Sequence, residues 1–276
     1  MLTTRERKSS FVKLFDKTAP QVMCPHFYEL VLSNGCPYRC DYCYLRLTFR
    51  GNTRPTVFDN DWAGVQEELE QVDKGVFSTG ELADSLAVIP PLLPKALDYF
   101  ADQKTRSLLL VTKSADTSFF EARESLPTVI VSFSVNSTPA AKLFEKGAPS
   151  PTERLRAAAR LKALGWRLRI RLDPIILETG IEHYEEVCKA IADLDPERVT
   201  IGSLRQYPGV HRFSPQAPRV GLEKADDGRM RYAVEVRSDA YRRIAEWLGF
   251  QPALCKETHI VWKALKWRFS GCNCTE

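Results

Sequence analysis

The sequence predicts an α/β fold built as an open, partial (β/α)6 barrel of the TIM type, with a small C-terminal cap element. Three observations predict it. Strand-like apolar runs alternate with stretches of helical periodicity, giving six strand–helix units in about 180 residues. Six units are too few to close an eight-fold barrel. Polar residues stand where the strands end, at Cys36, Glu81, Lys113, Ser134, Asp173 and Ser203, and that is the rim on which barrels build their sites.

The elements follow in order. Phe27 to Asn34 is apolar and β-prone, and it runs into Gly35 and a cysteine-rich loop. Asp61 to Val72 has helical spacing, with Trp62, Val65 and Leu69 on one face. Gly75 to Thr79 is a short strand ending at Gly80, and Leu92 to Phe100 is a helix opened by Pro90-Pro91. Ser107 to Thr112 and Thr128 to Phe133 are continuous apolar runs, the pattern of strands buried on both faces. Thr152 to Leu164 is helical and stops at Gly165. Arg167 to Leu172 alternates arginine with apolar residues, Ile181 to Leu194 is helical, and Glu197 to Ile201 is the sixth strand. Residues 1–26 read as an N-terminal extension, 27–203 as the barrel core and 204–276 as a C-terminal region. Within that last region 204–236 reads as a long loop, Arg237 to Leu248 as a helix, and Pro252 to Glu276 as a small appended element.

Composition narrows the function classes. Hydrophobic residues make up 44% and charged residues 27% of the 276, which excludes a disordered chain. No apolar run reaches the roughly 18 residues of a membrane span. The start, MLTTRERKSSFVKLFDK, has no apolar core before a small-residue cleavage site, so a cytoplasmic location without a membrane partner is expected. A net charge of +4 is too mild to require a nucleic-acid partner, although residues 200–276 hold 13 Lys and Arg against 8 Asp and Glu.

The eight cysteines are more informative. A chain of this size needs no disulfides to supply a core, and a cytoplasm keeps thiols reduced, so clustered cysteines point to metal. Cys36-x-x-x-Cys40-x-x-Cys43 converges on one centre only if the chain loops, and Gly35 and Pro37 favour a loop. Structural zinc sites usually show two pairs of ligands. A lone triplet suits an iron–sulfur cluster that leaves one iron open. Cys188 lies on an apolar helical face and reads as core. Cys24, Cys255, Cys272 and Cys274 form either a second metal site, iron–sulfur or zinc, or a set of plain reduced thiols. His259 to Phe269 interleaves aromatics with positive charge, which suits either nucleic-acid stacking or an amphipathic helix packed inward. With Arg205, Arg212 and Arg219 it would make a basic substrate mouth.

The triplet, with Tyr42 before its last cysteine, resembles the radical S-adenosylmethionine (SAM) superfamily, and Thr79-Gly80-Glu81 resembles its Gly-Gly-Glu motif. Within it the chain is similar to the spore photoproduct lyase family from about Phe27 to Glu257. The carrying segments are Asn34 to Leu45, Thr79 to Leu86, Thr112 to Ala115, Val131 to Asn136, Arg171 to Ile176 and Leu254 to Glu257. The resemblance implies a partial barrel in which Cys36, Cys40 and Cys43 hold a 4Fe-4S cluster whose fourth iron takes SAM. It implies that Glu81, beside Gly80, grips the SAM amino group, a charge-assisted contact. Lys113 and Ser134 would contact the carboxylate or ribose, Asn136 the ribose, and Gly202 with Ser203 would shelve the adenine. Tyr42 and Tyr44 match tyrosines used for radical relay and substrate contact.

The implied activity is reductive SAM cleavage to a 5′-deoxyadenosyl radical that takes hydrogen from a nucleobase, nucleotide or DNA lesion. Electrons would come from a partner such as flavodoxin or ferredoxin. One departure is visible. Spore photoproduct lyases carry a hydrogen-donating cysteine a few dozen residues beyond the cluster loop, whereas here no cysteine lies between Cys43 and Cys188. Cys255 is the first candidate to replace it. A peptide or small metabolite is the alternative substrate, and a non-catalytic iron–sulfur electron carrier is the alternative of another class. A carrier has no use for a SAM grip such as Glu81.

Overall fold

The computed structural model describes residues 2–276. Its centre is an eight-stranded sheet of β1 (Val12–Phe15), β2 (Phe27–Leu30), β3 (Gly75–Ser78), β4 (Arg106–Thr112), β5 (Val129–Val135), β6 (Arg167–Ile175), β7 (Arg198–Ser203) and β8 (Ala253–Leu254). The spatial order is the chain order, with β1 antiparallel to β2 and all other pairs parallel. Parallel neighbours need crossovers, and right-handed crossovers in unbroken order place every helix on one face and curl the sheet into a half-barrel. The crossovers carry α1 (Trp62–Glu70), α2 (Leu93–Ala101), α3 (Thr138–Phe144), α4 (Pro151–Ala163), α5 (Glu185–Leu194) and α6 (Val234–Leu248). α4 starts at a complete capping box, in which Ser150 and Glu153 satisfy each other's backbone N–H groups.

All six expected strands are present. Two further strands join them, β1 from the N-terminal extension and β8 from the C-terminal region. β8 has two residues and therefore no periodicity to read. Residues 204–236 are not a bare loop, because Arg205–Gln206, Met230–Tyr232 and Leu222–Lys224 form a small antiparallel sheet.

Side-chain alternation along the strands decides what the half-barrel holds. Phe77, Leu108, Leu110, Val131, Phe133, Ile170, Leu172, Ile201 and Leu254 face the helices and form the main core. The alternate residues line the concave face. There Val76, Leu109 and Ile130 make a small apolar floor against Val111 and Cys274, while Ser132, Ser134, Arg169, Arg171, Asp173, Gly202 and Cys255 continue it as polar wall.

The C-terminal tail fills part of this concave face. Ser132 Oγ donates to Asn273 Oδ1 at 2.7 Å, Arg169 Nη1 donates to the Asn273 carbonyl at 2.8 Å, and Arg198 Nη1 donates to the Cys272 carbonyl at 2.8 Å. The element expected to be an appendage is thus a plug. α7 (His259–Leu265) turns Val261, Trp262 and Leu265 into the core, and Phe269 meets Trp262 edge-on, so this segment packs as an amphipathic helix. No helix of the described residues is long and apolar enough to cross a membrane.

Candidate active site at the mouth of the half-barrel

The C-terminal ends of the strands enclose a cavity of about 290 Å³. Cys36, Cys40, Cys43, Tyr42, Tyr44, Gly80, Glu81, Lys113 and Ser134 all line it. These residues come from four separate stretches of chain. The cysteine loop begins at Gly35, whose φ of +79° and close approach to Arg54 O, 2.4 Å from where a Cβ would stand, exclude any other residue. Its far side is pinned by the segment after α3. Arg39 and Cys40 pair antiparallel with Glu145 and Lys146, and Asp41, itself buried, takes Lys146 Nζ at 2.8 Å.

A buried chain of polar groups ties this loop to β5. Tyr42 donates its hydroxyl to Glu145 Oε1, Glu145 Oε2 meets Arg154 Nη2 at 2.5 Å, and Arg154 Nη1 donates to the Ser134 carbonyl at 3.0 Å. Burial alone would raise the Glu145 carboxyl, but Arg154 and Lys113 outweigh it and hold the group below its ordinary range. The same burial, with Glu145 beside it, pushes the Tyr42 phenol up. Tyr42 therefore shows the cavity its ring and keeps its hydroxyl for the loop anchor.

The three loop thiols are free. Burial pushes Cys40 up to about 12 and raises Cys36 and Cys43 as well. Such sulfurs ionise only against a strong local cation, and a coordinating metal deprotonates them outright. Among the described residues no three Cys, His, Asp or Glu side chains close tightly enough for a single ion. A cluster asks for wider spacing, since each thiolate takes a different iron. The donor set fits a cluster.

The residues expected to hold SAM are positioned as follows. Gly80 packs so closely on β4 that a Cβ there would lie 2.5 Å from Val111 Cβ. Glu81 then projects into the cavity, 3.7 Å from Lys256 Nζ, and its carbonyl accepts the Tyr44 hydroxyl. Asp84 fixes the end of β4, accepting from Thr112 Oγ1 and the Lys113 N–H, both at 2.6 Å, and Lys113 Nζ sits 5.8 Å above the Tyr42 ring.

Three expected residues stand elsewhere. Asn136 is fully buried, and its amide is used up by Glu145, the Pro174 carbonyl, the Ser137 N–H and the Tyr184 hydroxyl, which leaves nothing for a ribose. Gly202 is covered by an ion pair: a Cβ there would lie 2.7 Å from Arg205 Nη1 and 2.8 Å from Asp173 Oδ1. Ser203 is buried behind that pair, its N–H donating to the Tyr241 hydroxyl. The glycine serves the close approach of side chains rather than an open shelf.

That pair is a feature the sequence did not announce. Arg205 grips Asp173 with both nitrogens at 2.9 Å, and Arg171 adds a third contact at 2.7 Å. Burial opposes the Asp173 charge, but the two guanidiniums outweigh it and hold the carboxyl well below its usual range. Both arginines also reach Cys255 Sγ, at 3.2 and 3.4 Å. Cys255 lies behind this layer and is absent from the cavity lining. At the rim, Arg229 stacks 4.2 Å from the Tyr207 ring, and of the expected basic mouth only Arg205 reaches the cavity.

Residues 13–246 match the family model described as spore photoproduct lyase. The spore photoproduct lyase of Clostridium acetobutylicum is 28% identical over 176 residues, 60% of this chain and 52% of that protein. That of Bacillus subtilis is 26% identical over 225 residues, 76% of this chain and 62% of that protein. The chain thus spans between half and two thirds of the length of these curated relatives. A solved spore photoproduct lyase complexed with dinucleoside spore photoproduct superposes with a TM-score of 0.73 at 20% identity, covering 92% of this chain and 81% of that one. Streptococcus suis SuiB bound to its precursor peptide SuiA superposes with a TM-score of 0.55 at 14% identity, covering 87% of this chain and 52% of that one. At such identities these likenesses establish the partial-barrel fold.

Proposed function

Because the chain belongs to the spore photoproduct lyase family, we propose that it is a radical SAM enzyme acting on a nucleobase, nucleotide or DNA lesion. One observation carries the reading: the thiols of Cys36, Cys40 and Cys43 share a single cavity with Glu81, Lys113 and Ser134. In this reading the three cysteines hold a 4Fe-4S cluster beside bound SAM, which together supply, on one-electron reduction, methionine and a 5′-deoxyadenosyl radical. The electron comes from a small reduced protein such as flavodoxin or ferredoxin.

The residues of the chain bind, orient and shield. Glu81 accepts the SAM ammonium in a charge-assisted contact, its carboxylate projecting into the cavity beside Lys256. Lys113, its backbone fixed by Asp84, offers Nζ to the SAM carboxylate, and Ser134 offers a hydroxyl from the end of β5. Val111, Pro174, Leu204 and Leu45 make the apolar part of the wall and keep water from a reactive carbon. Tyr44, on the wall with its hydroxyl at the Glu81 carbonyl, is the residue best placed for hydrogen transfer with substrate, whereas Tyr42 positions the cluster loop. Tyr207 and Arg229 form an aromatic and cationic platform at the rim that suits a base and its phosphate.

The test is anaerobic reconstitution followed by assay of 5′-deoxyadenosine from SAM and dithionite, alone and with a dinucleoside photoproduct, an undamaged oligonucleotide or a peptide. Deoxyadenosine formation stimulated by the photoproduct supports the reading. Stimulation by peptide alone moves the substrate class, and iron binding with no deoxyadenosine under any condition replaces the enzyme by an electron carrier.

A further inference from the structure

Four of the eight cysteines neither line the cavity described above nor belong to the main core. Cys188 packs among apolar side chains in the main core, but Cys24, Cys255, Cys272 and Cys274 do not. They come from three distant parts of the chain and meet inside the half-barrel. Val22–Met23 pairs antiparallel with Glu257–Thr258, and the register Met23 to Glu257 sets Cys24 across from Lys256, next to Cys255. Cys255 follows β8 and points inward, because Leu254 before it faces the helices. The plug holds the other two. Arg198 and Arg169 clamp the carbonyls of Cys272 and Asn273, and Cys274 lies against Val76, Leu109 and Ile130. Cys272 and Cys274 stand two residues apart on the plug, and Cys272 lies within electrostatic range of Cys274, Cys255 and Cys24.

The surrounding charge is unbalanced in a way that asks for thiolates. Arg171 and Arg205 are largely buried, with side chains 14% and 12% exposed, and share the single carboxylate of Asp173. The same Nη2 groups that bond Asp173 Oδ2 also reach Cys255 Sγ, at 3.4 and 3.2 Å. Buried cations are stable only when paired. A neutral thiol is a weak acceptor for two guanidiniums, and a metal-bound thiolate is a strong one. A disulfide between Cys272 and Cys274 would leave Cys255 and Cys24 unexplained. A single ion would draw sulfurs to within about 4 Å of one another around a metal at ~2.3 Å, and no three such ligands close that tightly among the described residues. The same holds for Cys36, Cys40 and Cys43.

We propose that Cys24, Cys255, Cys272 and Cys274 ligate a second iron–sulfur cluster, enclosed by the half-barrel behind the Arg171–Asp173–Arg205 layer. This site stands independently of the reading of the first. It makes Cys255 a ligand rather than a hydrogen donor, and it explains why the last residues of the chain are strapped into the barrel rather than left in solvent.

The experiment is iron and sulfide analysis with EPR of the dithionite-reduced protein after anaerobic reconstitution. The wild type is expected to carry about eight irons and eight sulfides per chain, as two four-iron clusters. The variant C36A/C40A/C43A is expected to keep about four of each and its own EPR signal. The variant C272S/C274S is expected to lose about four of each and keep the cluster that responds spectroscopically to SAM. About four irons in the wild type, none in the folded loop variant, or zinc without sulfide would each overturn the proposal. A loop variant that keeps its irons while the wild type never cleaves SAM would uphold this cluster and sink the enzymatic reading instead.

Discussion

Arg154 Nη2 lies 2.5 Å from Glu145 Oε2 with the two side chains 0% and 1% exposed, and through them α4 holds the cysteine loop. Glu145 pairs in register with Cys40 and accepts the Tyr42 hydroxyl, so one buried ion pair sets the backbone that carries Cys40 and Tyr42. Removing one partner leaves the other as an unpaired buried charge. Arg154→Met is therefore expected to cost about 3–5 kcal/mol in urea unfolding. Glu145→Gln keeps an acceptor for Tyr42 but leaves Arg154 unpaired, so it is expected to cost a comparable amount and to lower iron incorporation in the protein that stays folded. Unchanged iron incorporation in that folded fraction would show that the pair serves the fold alone.

Cys40→Ala is expected to abolish assembly of the first cluster and lower 5′-deoxyadenosine to background. The readout is anaerobic iron count beside product chromatography. Retained SAM cleavage would show that another sulfur completes the set.

Glu81→Gln removes the charge that faces the SAM ammonium while keeping its shape. A charge-assisted hydrogen bond contributes about 1.5–3 kcal/mol, so SAM affinity should fall roughly 10–150-fold with iron content unchanged. Anaerobic equilibrium dialysis measures it, and unchanged affinity would remove Glu81 from the site.

Gly202→Ala puts a methyl 2.7 Å from Arg205 Nη1 and 2.8 Å from Asp173 Oδ1. The pair must shift, and we expect a loss of about 1–3 kcal/mol in unfolding free energy. A neutral substitution would mean that the ion pair is looser than its geometry.

Glu197 gives a pH signature. Burial would raise its carboxyl, but hydrogen bonds from Arg167 and Arg169 hold it down to about 2. A depressed folded pKa stabilises above the unfolded value of ~4.3 and is lost as pH falls toward 2. With the carboxylate 31% exposed, its contribution at neutral pH is on the order of 1–2 kcal/mol after screening. Glu197→Gln should show that deficit at pH 7 and lose most of it by about pH 2. The same deficit at both values would mean that packing, not charge, is responsible.

By itself the sequence determined the order and type of the barrel strands, because apolar runs such as Leu108 to Val111 admit no other burial. It also marked the proposed first ligand set, because Cys36, Cys40 and Cys43 are close along the chain and Gly35 forces their loop. The Gly80-Glu81 pair was legible for the same local reason. Tertiary structure alone decided the rest. Asn136 sits one residue past β5 and read as a ligand, yet three-dimensional neighbours consume its amide. Glu145 and Arg154, Arg205 and Cys255, and the plug with Cys272 and Cys274 carry no local pattern. Their partners are fixed by the packing of a helix and the tail against the sheet, contacts between residues far apart in the chain that no local periodicity records.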